Sequence, residues 1–333
     1  MRSDDVRALL AGQDAGAIVL RYVANFAWYT GGGDSRVDHA NPVGVADVIV
    51  TLDGDYVATS TIEAPRMREE QTPDFEVLAY PWHEEPAALL RELADGKEVL
   101  IDSDPRVRDD ISRLRRVLDA GAQEQLRDVG RDTSAALAHA LEQVAPGMTE
   151  HEAAGLLSHA LRSRGLAPHV LLAATDARIR RHRHALPAGA VIQKRVMLVA
   201  SAERHGLYAN LTMIRNFEDP DDETARRMDA CGEILDRTRA ATRSGRTFAE
   251  VFAEIKSFYA AMGFPDEWKL HHQGGSTGYG SREVIATPST MDVIEPGMAF
   301  AWNPSITGAK REETFLLTND GSEVVAGEEV LTL

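Results

Sequence analysis

Cysteine is nearly absent from this chain: Cys231 is the only one in 333 residues. A single thiol cannot close an intramolecular disulfide, and no cysteine-rich zinc site can be built from it. It lies in "RRMDACGEILDRT", a helical pattern in which a small buried hydrophobe fits better than a nucleophile. Long hydrophobic runs are missing as well. No stretch of eighteen or more apolar residues occurs, so no membrane-spanning helix is expected. The opening "MRSDDVRALL" carries acids and has no apolar core of a secretory signal, so the expected location is the cytoplasm. Basic charge is in deficit, with 36 Lys and Arg against 52 Asp and Glu and a formal net charge of −16. Such a surface repels phosphate backbones, and no nucleic-acid partner is expected. The densest basic stretch, "RIRRHRH" at 178–184, is short and reads as part of a site.

The length allows two domains, and the patterning changes once along the chain. Residues 1–110 alternate strand and helix signals. "GAIVLRYV" is β-rich, "GVADVIVTLDGDYVATS" reads as a hairpin about Asp53-Gly54, and "EEPAALLRELADG" as a short helix capped by Gly96. "KEVLIDSD" reads as a further strand. From 111 to 333 a helical run stops at Pro146-Gly147, and Thr149 with Glu152 predicts a capping box for the next helix. "VMLVASAERHGLYANLTMIRNF" is long enough for two strands; His205 reads as a strand or turn residue. Helices follow over 221–262, and Gly-punctuated strand over 270–333. "HHQGGSTGYGSRE" (271–283) has the glycines of a phosphate loop but no Gly-Lys-Ser/Thr and no following helix pattern, which excludes that reading.

"APGMTEHEAAGLL", "IEPGMAFAWNPSI" and "KREETFLLTNDGSEVVAG", in this order, resemble the creatinase and aminopeptidase P (M24 peptidase) family. The likeness covers about 112–330 and implies an α+β pita-bread domain. "NFAWYTGG" is similar to part of the family's smaller N-terminal α/β domain. The expected architecture is therefore an α/β domain at 1–110 and a pita-bread domain at 111–333.

Family members that hydrolyse peptides hold two metal ions with two aspartates eleven apart, a histidine and two glutamates. Carried onto this chain, the aspartate positions are Val199 and Asn210, and the histidine position is Gly275, with Arg282-Glu283 where a His-Glu pair stands. The glutamate positions are Asn303 and Glu312. Valine and glycine have no donor atoms, and amides cannot balance two dications. No metal and no other cofactor is therefore expected. The resemblance offers a metal-free precedent in creatinase, which acts on a small guanidino compound with a histidine as acid and base. That histidine falls at or beside His182, with His184 two residues on.

The expected function is thus metal-independent acid–base chemistry on a C–N bond of a small nitrogen-containing carboxylate. His182 or His184 carries the proton, with Glu312 as carboxylate partner. Asn210, Thr212, His272, Gln273, Arg282 and Asn303 are the expected substrate-binding residues, with Arg282 as carboxylate clamp. Arg183, Lys310 and Arg311 add cationic groups, one of the last two being a surface residue. Strand alternation lets only one of His271 and His272 face the site, and His272 is favoured. Trp28 and Trp302 read as core or pocket wall. The alternatives are a non-catalytic protein binding a ligand or a protein partner, and an Xaa-Pro-type metallopeptidase. Because the family is often dimeric, light scattering at micromolar concentration should give twice the 36.4 kDa chain mass; a monomer is the contrary result.

Overall fold

In the computed structural model residues 2–332 are described, and they form two compact units that meet between Arg116 and Val117. The first unit runs α1 (Arg2–Ala11), β1 (Ala17–Tyr22), α2 (Val23–Thr30), β2 (Val43–Val50), β3 (Asp55–Ser60), α3 (Ala64–Arg66), β4 (Glu76–Tyr80), α4 (Ala87–Leu93), β5 (Val99–Ile101) and α5 (Arg108–Arg116). Its sheet has the order β4-β3-β2-β1-β5, antiparallel at its centre and parallel at both edges. The hairpin turns at Asp53-Gly54 as expected, with Val50 opposite Asp55. Gly96 ends α4 in the left-handed conformation, its N–H donating to the Arg91 carbonyl. The sequence change near 110 falls inside α5. This helix packs on α1 and α2, so the first unit continues to Arg116.

The second unit begins with α6 (Ala120–Gln143), whose N-cap Asp119 accepts from the Ala122 N–H and so breaks the helical run after α5. Then come α7 (Glu150–Arg162), β6 (Ala167–Thr175), α8 (Asp176–Arg181), β7 (Arg195–Arg204), β8 (Leu207–Asn216), α9 (Asp222–Ala241) and α10 (Phe248–Ala261). The chain ends in short strands: β9 (Gly274–Thr277), β10 (Val284–Ile285), β11 (Ala299–Trp302), β12 (Ser305–Ile306), β13 (Ala309–Lys310), β14 (Glu313–Thr318) and β15 (Gly321–Ala326). The Thr149–Glu152 capping box on α7 is fully formed. No helix among the described residues is long and apolar enough to cross a membrane.

Two larger antiparallel sheets, β6-β7-β8 and β10-β9-β11-β14-β15, and the short pair β12-β13 build the described part of this unit. β7 and β8 are joined at His205-Gly206, both at positive φ (59° and 77°), the geometry of a tight two-residue hairpin turn. One face of the first sheet (Ala173, Leu198, Ala202, Leu211) packs on Leu137, Leu141, Leu157 and Leu161 of α6 and α7. Its strands are apolar on the other face too, where Leu172, Met197 and Val199 cluster with Ile179 and Ala185. That doubly covered sheet explains why β7 reads as a near-continuous hydrophobic run. The second sheet buries Phe300, Trp302 and Phe315 against α9 and α10. An α/β unit followed by an α+β pita-bread unit is thus the architecture expected from the sequence.

Cys231 sits in the α9 core, where burial pushes its thiol up to about 12, so it stays protonated. Trp302 is core as well, and its indole N–H donates to Thr242 Oγ1.

At Gly130 helix α6 lies tight against β15, since a Cβ there would lie 2.1 Å from the Val325 carbonyl oxygen. Gly130→Ala must force α6 away from the strand. It should destabilise the fold by about 1–3 kcal/mol in urea unfolding, the range for overpacked interiors. An unchanged midpoint would show that this contact is not tight.

Candidate active site

A cavity of about 220 Å³ opens in the second unit over the face of β6-β7-β8 turned away from α6 and α7. Register decides its floor. Val170, Ser201 and Asn210 stand opposite one another across the three strands, and Leu172, Val199 and Thr212 form the next row. Residues two apart on a strand share a face, so these two rows look the same way. Asn210 also ties the sheets together. Its N–H donates to Thr314 Oγ1, that hydroxyl donates back to the Asn210 carbonyl, and Asn210 Nδ2 donates to Thr277 Oγ1.

Glu312 is the one carboxylate lining the cavity, and it is 3% exposed. Lys310 Nζ donates to its Oε2 at 2.8 Å, Arg282 Nη2 to its Oε1 at 2.7 Å, and Thr212 Oγ1 to its Oε2 at 2.8 Å. Burial alone would raise this carboxyl. The Lys310 and Arg282 charges win, and Glu312 is held well below the usual carboxylate range. Two cations against one anion leave this cluster with a net charge of +1.

Three imidazoles gather beside it. His271 Nε2 and His184 Nε2 are 2.9 Å apart, His271 stacks on His272 with ring centroids 4.5 Å apart, and one ring nitrogen from each lies within 4.8 Å of the others. All three are pushed toward the neutral form. Burial, followed by Lys310, lowers His271 to about 3; burial, followed by Arg282, lowers His272 to about 4; His184, the exposed member of the three, is lowered by partial desolvation and then by Lys310. His184 and His272 line the cavity, whereas His271 stands behind His184. Polar atoms are left unpaired around the same space. Ser201 Oγ, Asn303 Oδ1, Arg282 Nε and His271 Nδ1 are buried without a hydrogen-bond partner, which is costly unless something else meets them.

The structure sorts the residues singled out from the sequence. His184, Glu312, Asn210, His272, Arg282 and Asn303 share the cavity wall. His182 does not; it is exposed at the end of α8, where its N–H closes the helix on the Arg178 carbonyl. Arg183 is drawn off to Glu267 and Thr307. Gln273 is buried with its amide fully used, accepting from Tyr259 and donating to the Trp268 and His271 carbonyls. Thr212 supports Glu312 rather than lining the cavity. Arg282 is already committed at Nη2 to Glu312, so its expected carboxylate clamp keeps only its remaining donors. Lys310 is the buried cation of its pair, and Arg311 turns outward to Glu328.

Strand alternation predicts that His271 faces away from His272, and the structure differs. Residues 271–273 precede β9 and lie outside the ladder, so both adjacent rings reach the same cluster. Ser201 and Leu172 carry no chemical signal of their own, and Val199 reads only as an aspartate position without a donor. Only the register reveals them as cavity wall.

The histidine shifts set a pH dependence. An imidazole depressed on folding is protonated first in the unfolded chain. Its contribution is therefore intact above the ordinary value of 6.5 and is lost as pH falls from there toward the folded value, about 3 for His271. His271→Phe removes that proton uptake. Urea unfolding between pH 6.5 and 4 should show a slope shallower than wild type by up to about 1.4 kcal/mol per pH unit. Equal slopes would mean that His271 titrates normally in the fold.

Comparison with known proteins follows the geometry. The profile described as metallopeptidase family M24 matches residues 124–319, more than half of the chain, and the creatinase/prolidase N-terminal domain matches residues 2–149. Among solved structures, the prolidase from Pyrococcus horikoshii OT3 is similar at 15% identity, with 99% of each chain covered and a TM-score of 0.79. Dipeptidase PepE from Mycobacterium ulcerans is similar at 19% identity, with 98% of this chain and 95% of that chain covered and a TM-score of 0.78. Aminopeptidase P from E. coli gives 14% identity, 99% and 97% coverage and a TM-score of 0.75. No curated protein matches significantly. At these identities the structural likeness is one of fold, and membership rests on the family profile: the chain belongs to metallopeptidase family M24.

Proposed function

We propose that this chain is a hydrolase that cleaves a C–N bond in a small carboxylate through the His184–His271 pair, without the paired metal ions of peptide-cleaving relatives. The observation that carries this reading is a neutral imidazole cluster facing a cavity whose one carboxylate is already neutralised by Lys310 and Arg282.

The donor set does not fit two dications. Val199, Asn210 and Asn303 offer no anionic donor at three of the five positions that the family resemblance implies, and Glu312 is spoken for. Gly275, the implied histidine position, lies at φ 155°, and a Cβ there would sit 1.9 Å from the Val284 carbonyl oxygen. No side chain can be carried at that point of β9 without displacing β10.

His184 is the member of the pair that lines the cavity, so it is the one a substrate reaches. As neutral imidazole it accepts the proton of a water whose oxygen attacks the carbon of the C–N bond. As imidazolium it then gives that proton to the departing nitrogen as the bond breaks. A depressed pKa makes the first step weaker and the second stronger, which suits a poor nitrogen leaving group. His271, 2.9 Å from His184, fixes the ring. Lys310 and the free donors of Arg282 attract the carboxylate, and Glu312 holds both cations in place.

One observation favours a second reading. Three imidazoles within 4.8 Å could hold a single Zn²⁺-like ion with an open position, which would make the chain a mononuclear metallohydrolase. Against it, the Lys310 and Arg282 charges that disfavour protonated imidazole also disfavour a dication at the same place.

The test is hydrolysis of a panel of Xaa-Pro dipeptides, guanidino acids and N-acyl amino acids by chelator-treated protein, with metal content measured on the same sample. The expected result is turnover of a small carboxylate that persists with chelator, and a kcat lower by roughly 10²–10⁴-fold in His184→Ala. Activity that needs one bound ion per chain would establish the second reading. No turnover of any panel member would favour a non-catalytic binding protein.

A further inference from the structure

We infer that the ligand of this cavity is an amphipathic carboxylate, with a bulky apolar group seated on Leu172, Val199 and Val170 and its anionic end at Lys310 and Arg282. The inference deepens the function proposed above by naming the substrate class, and it concerns binding alone.

The cavity has two unlike walls. On one side the sheet presents Leu172 opposite Val199, with Val170 two residues from Leu172 on the same face. Leu172 and Val199 continue into an apolar cluster with Ile179, Ala185 and Met197, so this wall is the edge of a core rather than scattered side chains. Val170 is 38% exposed, an apolar surface that water meets when the cavity is empty. On the other side stand Lys310 and Arg282, whose pairing with Glu312 leaves one positive charge over.

Unpaired polar atoms flank the two walls. Ser201 Oγ lies in the same cross-strand row as Val170, and it and Asn303 Oδ1 are buried without partners, as is Arg282 Nε. Buried polar atoms of this kind are met by a ligand or by water. A ligand bearing an anion at one end and an apolar group at the other matches the row that runs from Leu172 and Val199 to Thr212 and the Glu312 cluster, with a hydrogen-bonding group facing the neighbouring Ser201 row. A small dicarboxylate or a sugar would leave the Leu172–Val199 wall unused. An amine would meet the excess positive charge.

About 220 Å³ accommodates an aryl or branched-alkyl acid of roughly ten to twelve heavy atoms. Val199 is central to this assignment, because an acid at that point would abolish the apolar wall.

Isothermal titration calorimetry of the full chain with acetate, 3-phenylpropionate and 3-phenylpropylamine tests the inference. Burying the phenyl group should make 3-phenylpropionate bind at least about tenfold more tightly than acetate, and the amine should not bind. Val199→Asp should remove binding of 3-phenylpropionate. Leu172→Ser should reduce its advantage over acetate several-fold, and Val170→Ser, at a partly exposed position, should do so in a variant certain to tolerate the change. Equal affinity for acetate and 3-phenylpropionate, or equal binding of the amine, would overturn the inference. So would a preference unmoved by these substitutions. Because no turnover is measured, intact selectivity with no hydrolysis would overturn the proposed reaction and leave this assignment standing.

Discussion

The second unit depends on how one buried carboxylate is satisfied. Glu312 is 3% exposed, and a charge at that depth is tolerated only when every lone pair meets a donor. Thr212 on β8, Lys310 on β13 and Arg282 before β10 each supply one, so three segments of the chain must arrive together. The main chain adds a link, since the Thr212 N–H donates to the Glu312 carbonyl and bridges the two sheets. Removing one partner would leave uncompensated buried charge, which costs about 3–5 kcal/mol in comparable cases. The arrangement therefore specifies the seam between sheets as much as it stabilises it.

The same cluster sets the electrostatics of the cavity. With two cations and one anion, its residual charge falls on the nearby imidazoles and adds to their burial. Neutral histidines follow, and neutral histidines can exchange protons where protonated ones could only donate. Asn210 and Asn303 contribute no charge to this balance. Fold and chemistry are joined here through a single ion cluster.

Membership of metallopeptidase family M24 and the chemistry of the cavity rest on different evidence. The fold depends on hairpins, caps and glycines that any member can share. What the cavity can do depends on a few side chains facing inward from its sheets, and at Gly275 even the backbone conformation matters. At φ 155° and with Val284 against it, that position has become part of the packing between β9 and β10. A donor there is excluded by the strand geometry as well as by the residue type.

Local signals were enough for the elements. The Asp53-Gly54 hairpin, the Thr149 capping box, the β7–β8 pair and the Gly96 helix end all follow from interactions within a few residues, and short-range chemistry is written directly in the chain. Glu312, Asn210, Asn303 and Arg282 could also be named, because ordered phrases located them, and His272 by its place before Gly274-Gly275. Other assignments needed three dimensions. Whether His182 or His184 turns inward depends on where α8 ends and on Arg183 being held by Glu267. His271 joins the cluster because the chain is not yet in the ladder at 271–273, and Gln273 leaves it because Tyr259, Trp268 and His271 use its amide. Leu172 and Val199 become cavity wall only through cross-strand register. The sequence by itself determined the elements and the two-unit plan. Side-chain direction and partner choice were decided by the tertiary structure, because each results from competition among groups distant in the chain.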